Sequence, residues 1–190
     1  MNTSIMIVGV GGQGTLLASR ILGNTAIRCG YDVKVSEVHG MSQRGGSVVT
    51  YVRFGDEKVA SPIIGEASAD IIMAFEQLEA YRSIDYLKKN GRLLVNAQQI
   101  DPMPVIIGKA KYPENILSKI EEKGINIISV DALSLARSAG SEKAVNVVLI
   151  GLLAKNTDIE KGIWEEVIKE TVPPKFLDIN LKAFNLGYSI

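Results

Sequence analysis

The hydrophobic residues along the chain switch between two periods. Residues 5–8 form a short apolar run stopped by glycines, whereas Leu17, Ile21, Leu22 and Ala26 recur at helical spacing across residues 15–27. This reads as strand, tight turn, helix, the opening of an α/β sheet. Gly30 is the expected C-cap of that helix, and residues 31–38 alternate through Val33, Val35 and Val38 as a second strand, completing a β-α-β unit. A loop over residues 39–46 leads into a β-rich run ending at Gly55. Because no crossover helix intervenes, the strand at 48–53 is predicted to pair antiparallel with a neighbour, which makes the sheet mixed.

Strands and helices then alternate. Residues 70–75 read as a buried strand, 76–89 as a helix and 91–96 as a strand. Pro102 and Pro104 bracket Met103 and mark an irregular or edge segment, with a short strand predicted at 105–107. Pro113 begins a helix over 114–123, Gly124 ends it, 125–130 is a further strand, and Asp131 is placed to cap a helix over 132–139. Residues 142–154 are apolar on nearly every face, the pattern of a helix buried within the protein or under a partner, and Asn146 inside it needs hydrogen-bond partners. Helices are predicted over 157–170, with Ile163, Trp164 and Val167 inward, and over 175–186, with Phe176 or Leu177, Leu181 and Phe184 on one stripe. The C-terminal third is therefore helical. No repeat, low-complexity tract or linker points to a second domain.

Gly9, Gly11 and Gly14 fit G-x-G-x-x-G, in which glycines permit an unusual turn, close approach of a ligand and tight helix–strand packing. Glu37 falls about 20 residues further on, where a dinucleotide-binding fold places the acid that holds a ribose hydroxyl. An NAD-binding module is one reading. The other is that the glycines only let the first helix pack closely on the first strand.

Composition narrows the chemistry. The 190 residues suffice for one core without staples, and 21 basic against 21 acidic residues leave no net charge to mark a nucleic-acid or membrane-binding surface. The single cysteine, Cys29, excludes an intrachain disulfide and any cysteine-ligated iron–sulfur cluster or zinc site built by this chain alone, and its place at a helix end reads as packing. The longest apolar stretch, residues 147–154, is far short of the ~20 needed to cross a bilayer. With no basic n-region or small-residue cleavage site near the start, a cytoplasmic protein is expected.

His39 is the only histidine, too little for a metal site, and as a general base it would need a substrate pocket. Ser42 and His39 lack an orienting acid and an elbow motif, which argues against a hydrolase. In the loop from His39 to Gly46, glycines shape the backbone and Arg44 offers a fork of donors suited to a carboxylate or phosphate. Three readings compete for Arg44: it ties the loop to its own domain, pairs across a subunit interface, or reaches an anionic substrate or coenzyme.

The stretch Gly-Val-Gly-Gly-Gln-Gly-Thr-Leu-Leu-Ala-Ser-Arg-Ile-Leu at 9–22 resembles the opening of the gamma-type domain of 2-oxoacid:ferredoxin oxidoreductases. Ser-Glu-Val-His-Gly-Met-Ser-Gln-Arg-Gly-Gly-Ser-Val at 36–48 is similar to the beta subunits of the indolepyruvate branch, as are residues 144–148 and 172–184; relatives acting on 2-oxoglutarate or pyruvate tend to carry Tyr-Gly and an acid before Arg-Gly-Gly. The similarity runs from Met6 to Gly187. It implies one gamma-type domain over residues 1–190, with a three-layer α/β/α Rossmann-like fold. It also implies the small subunit of an enzyme that oxidatively decarboxylates arylpyruvates with coenzyme A to aryl-acetyl-CoA, carbon dioxide and reduced ferredoxin. Thiamine diphosphate, Mg2+ and [4Fe-4S] clusters would belong to a large alpha subunit, with no cofactor and no catalytic residue in this chain. Gly9, Gly11, Gly12, Gln13 and Gly14, with His39, Gly40, Ser42, Gln43, Arg44, Gly45 and Gly46, would then form ligand-binding or subunit-contact loops.

Overall fold

The computed structural model describes residues 2–40 and 46–190. Its strands are β1 (Asn2–Val10), β2 (Asp32–His39), β3 (Ser47–Gly55), β4 (Ala69–Ala74), β5 (Leu87–Asn96) and β6 (Asn126–Val130), in the sheet order β2-β3-β1-β4-β5-β6. The helices are α1 (Thr15–Arg28), α2 (Gln77–Ser83), α3 (Met103–Ile106), α4 (Ile116–Glu122), α5 (Ala132–Ala139), α6 (Val145–Lys155), α7 (Lys161–Thr171) and α8 (Leu177–Tyr188). β1, β4, β5 and β6 are parallel, and β3 runs antiparallel to both β1 and β2, so the sheet is mixed, as predicted, and mostly parallel.

Strand β1 lies in the middle and is apolar on both sides because both faces are covered. Ile5 and Ile7 join α1, α5, α6, α7 and α8 in one core, and Met6 and Val8 join α2 and α4 in the other. This gives the three layers. All four helices that follow β6 lie on the α1 side, where α6 is buried from Asn146 to Ala154, which accounts for its apolar residues on every face. Two glycines bring α6 and α8 backbone to backbone. A Cβ on Gly151 would stand 2.1 Å from the Phe184 carbonyl oxygen, and one on Gly187 would stand 1.9 Å from that of Val148.

Several expectations shift on contact with the structure. The helix expected over 76–89 stops at Ser83; a 3-10 turn at Ile84–Tyr86 follows, and β5 already begins at Leu87. Its register against β4 jumps from Ala69–Leu87 to Ile71–Arg92, and Gly91 fits this irregularity because a Cβ there would lie 3.0 Å from the Ala69 carbonyl. The strand expected at 105–107 is instead α3. The fixed φ of Pro104 suits a first helical turn, and the Pro102 carbonyl accepts the Val105 and Ile106 N–H groups at 2.9 and 3.1 Å. The helix at 114–123 is trimmed to α4, after Asn115 in the left-handed region, and the one at 157–170 starts only at Lys161. The helix at 142–154 opens as a 3-10 turn, Glu142–Ala144. Trp164 and Val167 are buried while Ile163 is half-buried, and Phe176 is exposed, leaving Leu177 on the inward stripe.

The crossover from β1 through α1 to β2 exists, but β3 lies between the two strands. At a strand spacing of ~4.8 Å, β2 is thus about 10 Å from β1.

Gly151→Ala and Gly187→Ala are each expected to cost about 3 kcal/mol by forcing α6 and α8 apart, read as a lower urea midpoint. Gly162→Ala, in α7 with only the Glu160 carboxylate near its Cβ position at 3.9 Å, is the control and is expected to stabilise by up to about 1 kcal/mol. A second test concerns Asp131, which accepts the Ser134 N–H at 3.0 Å and hydroxyl at 2.6 Å. Those two bonds, the hydroxyl's first, hold its carboxyl below the usual carboxylate range. Asp131→Ala is expected to cost about 1 kcal/mol at pH 7. The contribution is complete above the unfolded pKa of about 3.9 and is lost as pH falls through the lower folded value, so the urea curves of the two proteins converge in acid.

Candidate functional site

The parallel strands carry their carboxyl ends to one edge of the sheet, the place where open α/β sheets bind ligands. β1 ends there in the glycine turn. The Val10 N–H donates to Gln13 Oε1 at 2.7 Å, and Gln13 Nε2 donates to the Phe75 carbonyl at 3.1 Å, so Gln13 staples the turn to itself and to the end of β4.

Each glycine has a local account. A Cβ on Gly9 would meet Gln13 Oε1 at 2.9 Å and Phe75 Cβ at 3.0 Å. Gly12 adopts φ +97° with open space around it, and Gly14 adopts φ +83° with Asn146 Nδ2 only 2.6 Å from where its Cβ would be. Asn146, the polar residue inside the buried helix, donates to the Gly14 carbonyl at 3.4 Å and accepts the Val147 N–H at 2.9 Å. Its partners are thus the glycine turn and its own helix. The Gly11 N–H donates to the Gly46 carbonyl at 3.0 Å, joining the two sequence-predicted loops.

The dinucleotide reading is not favoured by this geometry. The Gly11 amide, which would face a pyrophosphate, is taken by Gly46. Glu37, on the far strand β2, accepts the Thr50 hydroxyl at 2.9 Å through one oxygen and pairs with His39 Nε2 at 2.7 Å through the other. Both of its oxygens are in use. His39 is otherwise exposed, and the Gly40 N–H donates to the Ser47 carbonyl at 3.0 Å. Ser42, Gln43, Arg44 and Gly45 lie outside the described residues, between Gly40 and Gly46, both of which are at this edge.

Sequence reading passed over a buried polar network at the same edge. Asn96, at the end of β5, donates to the Phe75 carbonyl at 3.1 Å and accepts the Ala132 N–H at 3.2 Å, so one carbonyl receives both Gln13 and Asn96. Glu76 caps α2 by accepting the Glu79 N–H at 2.9 Å, and it also accepts the Ile100 N–H and the Tyr112 hydroxyl. Glu79 in turn holds the Ser47 hydroxyl at the start of β3 and Arg82 at 2.6 Å. The signal was present as Glu-x-x-Glu directly after a strand, a capping arrangement with Glu at the cap in place of Ser or Thr.

Cys29 is half-buried, and burial raises its thiol pKa, consistent with packing rather than reactivity. One cysteine does not fit an iron–sulfur cluster, and among the described residues no group of three His, Cys, Asp or Glu could hold a metal. A groove of about 530 Å3 opens at the opposite, amino ends of the strands, lined by Tyr31, Phe54, Lys88 and Arg92 among others. It is remote from both loops, and its Asp70 is occupied by Lys88 and the Ser4 N–H. No helix among the described residues is long and apolar enough to cross a membrane.

A mixed α/β/α sheet with this glycine turn, and with sequence similarity to a family model over residues 4–190, places the chain in the pyruvate ferredoxin/flavodoxin oxidoreductase family. Among its relatives, the indolepyruvate oxidoreductase subunit IorB of Thermococcus kodakarensis is 48% identical over 189 residues, covering 97% of this chain and 93% of the relative. The subunit of the same name from Pyrococcus horikoshii is 47% identical over 189 residues with the same coverage. Among solved structures, the gamma subunit of the keto/oxoacid ferredoxin oxidoreductase of Geobacter sulfurreducens superposes with a TM-score of 0.73 at 25% identity, covering 98% of this chain and 96% of that one. The family resemblance read from the two loops is borne out.

The glycine turn yields a paired test. Gly12→Ala is expected to cost about 1 kcal/mol, the strain of a left-handed residue in open space. Gly14→Ala adds a collision and is expected to cost about 3 kcal/mol, of which Asn146→Ala in the same chain restores part. Urea unfolding of the wild type, Gly14→Ala, Asn146→Ala and the double variant measures the coupling, with Gly12→Ala as the reference for strain alone.

Proposed function

We propose that this chain is the small, non-redox subunit of an arylpyruvate:ferredoxin oxidoreductase of the indolepyruvate type. The observation that carries the reading is near-full-length identity of 47 to 48% to subunits named for indolepyruvate oxidoreductase. In the complex, a 2-oxoacid and coenzyme A become an aryl-acetyl-CoA and carbon dioxide, and two electrons pass to ferredoxin. A large alpha subunit holds the [4Fe-4S] clusters, Mg2+ and thiamine diphosphate, the last supplying carbanion stabilisation. The donor set of this chain suits that division, since its lone cysteine offers no cluster ligation.

Residues 1–190 act in this reading as one gamma-type domain in the cytoplasm, without turnover of their own. The glycine turn and the loop from His39 to Gly46 form the surface that meets the large subunit beside its active site. Gln13 and Asn96 support the reading by fixing the end of β4 against the turn, so that the loops stand on a rigid edge. Arg44 supplies a cation in the second loop, for the partner or for an anionic substrate or coenzyme.

Anaerobic purification of the tagged chain from its own host is expected to bring down a large subunit with iron and thiamine diphosphate, and the eluate is expected to reduce ferredoxin with an arylpyruvate and coenzyme A. A chain that elutes alone, and whose thermal midpoint rises with NAD, would count against the reading. Arg44→Ala is expected to lower assembly or turnover at least ~10-fold while the free chain keeps its thermal midpoint. Wild-type assembly and rate in that variant would remove the functional role of the loop.

A further inference from the structure

The carboxyl edge carries an exposed arm that the proposed function does not use. Over residues 101–111 nothing is buried, and the short α3 and the residue after it show Met103, Ile106 and Ile107 at 58%, 65% and 54% exposure. A single exposed apolar side chain is ordinary, but three within five residues make a patch. The arm joins neither hydrophobic core. It is nevertheless folded on itself. The Pro104 carbonyl accepts the Lys109 and Ala110 N–H groups at 2.8 and 3.0 Å.

Both roots of the arm end on one buried group. Glu76, 1% exposed, accepts the Ile100 N–H at 3.2 Å and the Tyr112 hydroxyl through the same oxygen, Oε1. Burial, then the Glu76 carboxylate, pushes the Tyr112 hydroxyl far above the usual tyrosine range, so it remains the donor. An arm pinned at both ends loses less conformational freedom on docking than a loose loop.

Resting on the subunit reading above, we propose that the large subunit grips this arm in addition to the two loops, in an apolar pocket with an acidic rim. Lys109 and Lys111 follow the apolar patch and have no carboxylate partner among the described residues, and the only acid on the arm is Asp101 at its root. A second copy is the wrong occupant. A two-fold contact would set the patch against itself, with its lysines facing the same lysines. Leu16 in the first turn of α1 and Val38 at the end of β2, beside the loops assigned to the partner, are also exposed at the carboxyl edge, at 55% and 52%.

Purified large subunit and this chain, mixed anaerobically, give the test. Ile106→Asp with Ile107→Asp is expected to weaken binding about 100-fold, and Lys109→Glu with Lys111→Glu about 10-fold, each without lowering the thermal midpoint of the free chain, because all four side chains stand in solvent. Hydrogen exchange of amides 105–111 is expected to slow in the wild-type complex. Wild-type affinity in both variants, with exchange over 105–111 unchanged, would overturn the arm while leaving the subunit reading intact. If the wild-type proteins fail to associate, the subunit reading falls and the arm with it. Arm-dependent sedimentation of the free chain with anionic phospholipid vesicles, with subunit binding unaffected, would also overturn it.

Discussion

Two glycines set how deeply α6 can lie in the protein, and much of the rest follows from that depth. Where Gly151 of α6 meets α8 and Gly187 of α8 meets α6, carbonyl oxygens occupy the space that a Cβ would need. Main chain packs on main chain with no side-chain spacer. With α8 this close, α6 is enclosed on every side, and its first turn carries Asn146 beneath Gly14. The start of α1, and with it the turn at the end of β1, is therefore positioned by a helix more than a hundred residues away in sequence. The glycine fingerprint shares in the same packing, since Gly9 and Gly14 are small because of what lies against them.

At the carboxyl edge the chain buries polar groups, which is costly unless each finds a partner. Asn96 and Gln13 both reach the Phe75 carbonyl, and Glu76 collects three donors from three segments. This network holds the ends of β1, β4 and β5 in register with the starts of α2 and α5. The exposed chain around it is thereby separated from the buried ends of the strands.

Much of this was legible in the chain. Continuous apolar runs in β1 and β4 and the all-round apolar pattern of α6 each announced their place, because burial on two faces or on every face leaves a different periodicity, whereas the alternation in β2 announced a strand but not its burial, since Val35 and Val38 are exposed. The two loops announced the family. Less legible were features decided between distant residues. The insertion of β3 between β1 and β2 does not show in either strand's own pattern, and so a ribose-binding role for Glu37 stayed open as one reading, although its carboxylate is already shared between Thr50 and His39. α3 read as a strand because Val105, Ile106 and Ile107 favour one, while the backbone obeyed the prolines. Glu76 went unremarked because its role depends on Ile100 and Tyr112, far along the chain.

The position of β3 also has a bearing on the route by which the chain folds. β2 and β3 pair across a short loop, His39 with Val48, whereas β1 meets β3 over nearly its whole length only through pairs as distant as Asn2 with Gly55. Closing the short loop costs less chain entropy than closing the long one. Chain entropy alone thus favours the hairpin as the earlier unit, one that would offer β1 an edge whose register is already set. On that route the pairing of β1 with β3 is also what brings the glycine turn beside Gly46, so the neighbourhood of the two loops depends on the central strand being in place.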